Sequence, residues 1–158
     1  MKRIRVDDLP WEESVSPKGR FHSFYRNLSL ALGGKRDVGT AGGGHPFDVQ
    51  IRRVPPGASV CPFHVHGSQW EFFLVSSGEA TIRCDDETAV VSAGDAFLHP
   101  PGTAHKISNT GTEDFVFIVI ADNPSGENCF YPDSGKWMVK PARKVFRPTE
   151  TDYFDGEE

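Results

Sequence analysis

Two histidines one residue apart, His64 and His66, are followed by Glu71 and, beyond a Pro100-Pro101-Gly102 turn, by a third histidine, His105. Three imidazoles and one carboxylate are the usual mixed nitrogen and oxygen ligand set for a divalent transition metal. Alternate residues of a strand point to one face, so His64 and His66 can reach one ion from one strand. Glu71 has the opposite parity to His66, and an unbroken strand would turn it away from that ion. Gly67-Ser68 supplies residues that form a turn or bulge, which resets the parity. His105 then has to arrive from another strand. Donors gathered from separate strands onto one point require a closed or strongly curved sheet with the site inside.

The rest of the chain reads the same way. Phe24 to Leu30 alternates as a first strand, and short apolar segments then follow at close intervals. They run over 47–54, 60–66, 70–76, 80–84, 88–91, 96–99, 105–108 and 115–120, and turn residues separate nearly all of them. No helical period is sustained, so the class is all-β, a barrel or jelly roll. Residues 1–20 read as an arm, and Lys35 to Pro46, with four glycines, as a loop without the Lys-Ser/Thr ending of a phosphate-binding loop. Ala121-Asp122-Asn123-Pro124 breaks the last long strand. The tail beyond it carries Trp137, Phe146, Tyr153 and Phe154, too many aromatics for a disordered segment, and is expected to pack on the barrel or on a second subunit. The whole reads as one domain: an arm, strand and loop over 1–45, a barrel over 46–122 and an extension over 123–158.

Gly57, His64-Val65-His66, Glu71 and Gly78 resemble the first cupin motif. Gly94, Pro100, Gly102, His105 and Asn109 resemble the second. The fifteen residues between Gly78 and Gly94 are similar to the compact spacing of small single-domain cupins. Tyr131-Pro132-Asp133-Ser134-Gly135-Lys136-Trp137 is similar to a segment of one group of small cupins. The resemblance implies a double-stranded β-helix barrel and places His64, His66, Glu71 and His105 at the family's metal-ligand positions. One divalent transition metal per chain is then expected, with Fe, Mn, Ni, Co and Zn all chemically acceptable. Three neutral imidazoles and one carboxylate leave a net charge of +1 on such a site, with coordination positions open for a ligand.

With 17 basic and 22 acidic residues the formal charge is −5, and no long basic run is present, which argues against a nucleic-acid partner. No signal-peptide core and no stretch approaching 18 apolar residues is visible, so no membrane partner is expected. Cys61, Cys84 and Cys129 show no Cys-x-x-Cys spacing and fit reduced thiols, hence a cytoplasmic location. Strand alternation predicts that Ile107 and Asn109 face the cavity with His105, and that Phe73 and Val75 do so with Glu71, making a mainly apolar pocket for a small-molecule ligand. Phe63, Phe72 and Phe97 read as core or interface, and Gln69 and Trp70 as packing. Cys61 has the wrong parity to join His64 as a ligand. His99 is the candidate acid/base group near the pocket. Arg52 or Arg53, together with Arg83 and Lys106, are scattered basic candidates without a visible cluster. The expected function is a metal-dependent enzyme acting on a small oxygen-rich molecule, an isomerase of sugars or sugar phosphates, or a dioxygenase if the ion is iron. The alternative is a non-catalytic metal-dependent binding or sensing module. Exposed strand edges make a homodimer the expected assembly.

Overall fold

The computed structural model describes residues 1–158. After a short turn of 3₁₀ helix over Val6–Asp8 the chain forms β1 (Glu12–Val15), β2 (His22–Asn27), α1 (Leu28–Ala31) and β3 (Phe47–Val54). The barrel continues with β4 (Val65–His66), β5 (Glu71–Ser77), β6 (Glu79–Cys84), β7 (Glu87–Ser92), β8 (Ala96–His99), β9 (His105–Ser108) and β10 (Phe115–Asp122). The extension adds β11 (Asn128–Tyr131), β12 (Lys136–Val139) and β13 (Lys144–Phe146). No helix is long and apolar enough to cross a membrane.

These strands form a six-stranded sheet in the order β1-β2-β3-β10-β5-β8, a four-stranded sheet β13-β12-β11-β4 and a three-stranded sheet β7-β6-β9. Isolated bridges Phe21–Ser59, Ser59–Ser108 and His64–His105 connect the flanks. The inner face of the large sheet follows the two-residue period: Phe73 and Val75 on β5, and Phe115, Phe117 and Val119 on β10, are all buried. They pack with Val54, Ala80, Ile82 and Ile107 as one core. Each such side chain contributes about 1.5–3 kcal/mol by burial. The metal-ligand candidates occupy the part of the interior that this core does not fill.

The first strand ends earlier than its alternation suggests. Asn27, opposite Gln50, is the last residue of the ladder, and its side-chain oxygen accepts a hydrogen bond from the Leu30 amide at 2.9 Å, so Leu28–Ala31 coils into α1. The segment 60–66 is also less regular than expected. Pro62 has no amide to give a ladder, and only Val65–His66 qualifies as strand. Asn109 is buried but does not face a cavity. Its amide donates to the carbonyls of Val54 and Glu113 at 2.7 and 2.8 Å, while its oxygen accepts from the Gly111 amide, closing the turn before β10. Val75 likewise lies in the core.

The tail begins as two further strands. β11 pairs with β4, setting Cys129 opposite His66, and Phe130 meets Trp137 with ring centres 5.0 Å apart. Further on, β13 pairs with β12, and Phe146, Tyr153 and Phe154 are exposed on their own chain.

Candidate metal centre

β4, β5 and the start of β9 bring the sequence-predicted donors together. His64 precedes β4 and exchanges backbone hydrogen bonds with His105, His64 N to His105 O at 3.1 Å and His105 N to His64 O at 2.8 Å. Gly67 and Ser68 leave the strand, and β5 restarts at Glu71 with its side chain turned inward, so the parity break falls where the glycine allows it. The donor atoms of His64, His66, Glu71 and His105 all lie within 4.8 Å of one another. His64 Nε2 is 3.1 Å from His66 Nε2, His66 Nε2 is 3.5 Å from Glu71 Oε2, and His105 Nε2 is 2.9 Å from that oxygen. Ligands held about 2.1 Å from one ion stand about 3.0 Å apart at a right angle and about 3.4 Å apart at the tetrahedral angle. The observed separations span this range, so the residues fit a single divalent ion.

The far nitrogens of the three rings are also arranged for this purpose. His64 Nδ1 meets the Pro62 carbonyl at 3.0 Å, His105 Nδ1 meets the Thr103 carbonyl at 3.1 Å, and His66 Nδ1 meets the Glu127 carboxylate at 3.1 Å. A carbonyl or carboxylate oxygen only accepts, so each Nδ1 carries a proton, which leaves each Nε2 to turn to the common point, where the His105 and His66 Nε2 atoms face the Glu71 carboxylate. Electrostatics differ from ring to ring. Burial, aided by the charge on His66, pushes His64 down to about 4. Burial also opposes protonation of His66, but hydrogen bonds to Cys129, Glu127 and Glu71 outweigh it and push that ring up to about 12. For Glu71 burial favours the neutral acid, and its hydrogen bonds to His105 and His66 win, holding the carboxyl well below its usual range. Glu71 thus stays ionised among the three rings, and a cation entering the site would take the place of the proton that His66 holds.

Residues 50–121 match the family model of the cupin domain. This stretch of the barrel is similar to cupin domains. Among curated proteins, an oxalate-binding protein from Thermotoga maritima is 31% identical over 68 residues, 43% of this chain and 55% of the relative. The match therefore spans about half the length of that relative. Among solved structures, a protein assigned as a sugar phosphate isomerase from Acidithiobacillus ferrooxidans superposes with a TM-score of 0.76 at 20% identity, covering 93% of each chain. A cupin-superfamily sugar phosphate isomerase from Silicibacter pomeroyi gives 0.74 at 23% identity, covering 98% of this chain and 94% of the other. At these identities the similarity is one of fold, a double-stranded β-helix barrel with an N-terminal extension and a C-terminal segment.

The donor set opens into a cavity of about 240 Å³. Phe73, Ile107, Phe117, Val119 and Ala121 form its apolar wall. The remainder is more polar than the sequence suggests. Twelve of its 22 lining residues are not hydrophobic, because Asp48, Gln50 and Arg52 form an inward stripe on β3 and the 35–46 loop adds Arg36 and Asp37. Of the basic pair, Arg52 faces the cavity, whereas Arg53 meets Asp114 at 3.4 Å and stacks on Phe24. Arg83 pairs with Asp133 at 3.0 Å and covers buried Phe63, away from the cavity. Cys61 does reach the wall despite its parity, with Sγ 3.6 Å from His64 Nδ1, and burial pushes its thiol up to about 11.

His99 does not line this cavity. It stands behind His105, ring centres 4.0 Å apart and nearly parallel, against Phe73 and Phe97. Neither of its nitrogens has a hydrogen-bond partner, and burial together with His105 pushes its pKa down to about 4, so it packs as a neutral ring. Gln69 is buried and faces the cavity, donating to the Asp122 carbonyl and accepting from Lys140 Nζ at 3.1 Å; Trp70 is exposed. Glu127 escapes sequence reasoning altogether. Its carboxylate accepts from His66, from the Gly67 and Ser68 amides and from the Ser68 hydroxyl. Its distance of 61 residues from His66 hides it. Only its place next to β11, in a segment that already reads as packed, hints at a role.

Proposed function

We propose that this cupin is a metal-dependent enzyme acting on a small oxygen-rich molecule, with His64, His66, Glu71 and His105 holding one divalent ion. The observation that carries this reading is the convergence of three imidazole Nε2 atoms and the Glu71 carboxylate at metal-ligand spacing. A bound ion would act there as a Lewis acid toward substrate oxygens, or as a redox centre if it is iron. The protein's own part is to hold the donors, to shield them from bulk water behind Phe73, Ile107 and Phe117, and to present a polar wall to the rest of the ligand. Isomerisation of a sugar or sugar phosphate and dioxygenation are the reactions to test first. A non-catalytic binding module is supported by the wall's chemistry. His99 packs behind His105, and the Asp37 carboxylate is held by Lys140 and Arg143 at 3.2 and 2.9 Å.

The test is elemental analysis of protein purified without a metal-affinity tag. Close to one ion per chain is expected, and His105→Ala should lower it. Protein free of metal and indifferent to added divalent ions would end this reading. Oxygen uptake against phenols, thiols and diketones, run beside aldose–ketose interconversion, separates the two reactions. Silence in both with saturable ligand binding favours the binding module. We also propose that the chain is a cytoplasmic homodimer. Its three cysteines are free, which suits a reducing compartment, and the outer face of its large sheet exposes Phe72, Leu74, Leu98 and Ile120.

A further inference from the structure

Two guanidinium groups enter the cavity without a carboxylate partner. Arg52 comes from the inner stripe of β3, and Arg36 from the loop that follows α1. Both lie over the Tyr25 ring, 5.5 and 6.0 Å from its centre, so two like charges share one aromatic platform. Arg52 donates through Nε to Gln50 at 3.1 Å and through one Nη to Ser23 at 3.4 Å, both neutral acceptors. Arg36 Nε is buried with no acceptor. A guanidinium carries five N–H donors in a planar fork, and neutral acceptors satisfy only part of that set. Asp48 and Glu71 act on them at a distance, but no carboxylate forms an ion pair with either. Asp37 is committed to Lys140 and Arg143, and one oxygen of Asp48 is buried without a partner. Positive charge taken from water and left unpaired costs several kcal/mol, and a second like charge beside it adds to that cost. Such an arrangement persists where a ligand completes it.

Building on the metal-binding reading, we propose that Arg52 and Arg36 form an oxyanion subsite in the wall of the metal cavity, selecting a small ligand that bears a carboxylate or a phosphate. The planar forks match the two oxygens of a carboxylate or phosphate in bidentate geometry, and a flexible ammonium would not supply the same fit. Gln50 and Ser23 fix the Arg52 plane before the ligand arrives, so little side-chain entropy is lost on binding. The apolar side of the cavity, Phe117 and Val119, then faces the carbon skeleton of the ligand. One small molecule would thus meet the metal donors, the cationic pair and the apolar wall together.

The experiment is calorimetric titration of metal-loaded protein with two probes, inorganic phosphate and malonate, alongside metal analysis of every sample. Wild type should bind at least one probe at a single site. Arg52→Met should weaken that binding at least tenfold while metal content stays at the wild-type level. Arg36→Met, on a loop outside the sheet, should weaken it by a smaller factor and serves if the β3 substitution impairs folding. Arg52→Lys should recover only part of the affinity, since an ammonium lacks the fork. Preference for malonate or for phosphate identifies the ligand class. Unchanged affinity in both Met variants, or no binding of either probe by metal-loaded wild type, overturns the subsite. Metal-free wild type defeats the metal reading instead, and the metal analysis reports that outcome separately.

Discussion

Glu127 shows how one residue can serve fold and site together. It is almost wholly buried, yet four donors surround it: the His66 imidazole, two backbone amides and the Ser68 hydroxyl. Its burial favours the neutral acid, and these hydrogen bonds reverse that and keep its pKa low. The charged carboxylate fixes the His66 proton on Nδ1 and so leaves Nε2 free for an ion. Glu127→Ala would strand buried donors at about 1–3 kcal/mol each, with a total loss of about 3 kcal/mol or more visible in thermal or urea denaturation. Glu127→Gln keeps the shape and removes the charge. It should fold, and its metal affinity, measured by competition with a chelator, should fall about 10–100-fold. Wild-type affinity in the Gln variant would show that the carboxylate does not orient the ring.

At the scale of elements, the turns decide where the donors arrive. Gly78, between β5 and β6, has φ +79°, and a Cβ there would lie 2.5 Å from the Asp114 carbonyl oxygen. Both the backbone conformation and the close approach exclude a side chain. Gly78→Ala should therefore cost at least about 2 kcal/mol, read as a lower midpoint in denaturation; a neutral result would mean that the β5–β6 turn rearranges freely. This also explains what the sequence reveals and what it conceals. His64, His66 and Glu71 lie within one strand–turn–strand unit, where residue parity and the break at Gly67-Ser68 together specify their directions, and His105 follows a proline-glycine turn that starts a strand. Strand alternation likewise identifies Phe73 and Ile107 as inward. It misleads after Asn27, whose side chain caps a helical turn where the ladder ends, and at Asn109, whose amide is consumed by backbone carbonyls. Glu127 and Arg36 are concealed for another reason. Each lies outside any regular element, and each is delivered by long-range packing: Glu127 through the pairing of β11 with β4, and Arg36 through a loop tied down by Asn123. Local periodicity carries no information about such placements.

At the scale of the whole molecule, the large sheet has a wet interior and a dry exterior in unusual proportion. Its inner face carries the polar stripe Asp48, Gln50 and Arg52 beside the metal-ligand candidates. Its outer face carries an apolar row in register across three neighbouring strands, Ile120 opposite Phe72 and Phe72 opposite Leu98, all exposed. Leu74 adds to the row, and β8 ends the sheet with an unpaired edge. An exposed apolar row next to an open edge invites either aggregation or a specific partner, and a second copy of the chain satisfies both features symmetrically. A stable dimer needs about 800 Å² from each subunit, an area that calls for the sheet face and neighbouring segments together. The exposed Phe146, Tyr153 and Phe154 of the tail are further apolar surface for such a contact. The double substitution Phe72→Glu and Leu98→Glu places like charges opposite each other on the outer face and leaves the inner face untouched. Light scattering after gel filtration should report a dimer for wild type and a monomer for the variant, with equal metal content in both. A wild-type monomer at tens of micromolar would refute the dimer. A variant that dimerises as well as wild type would move the contact off this face, to the β1 edge or the tail.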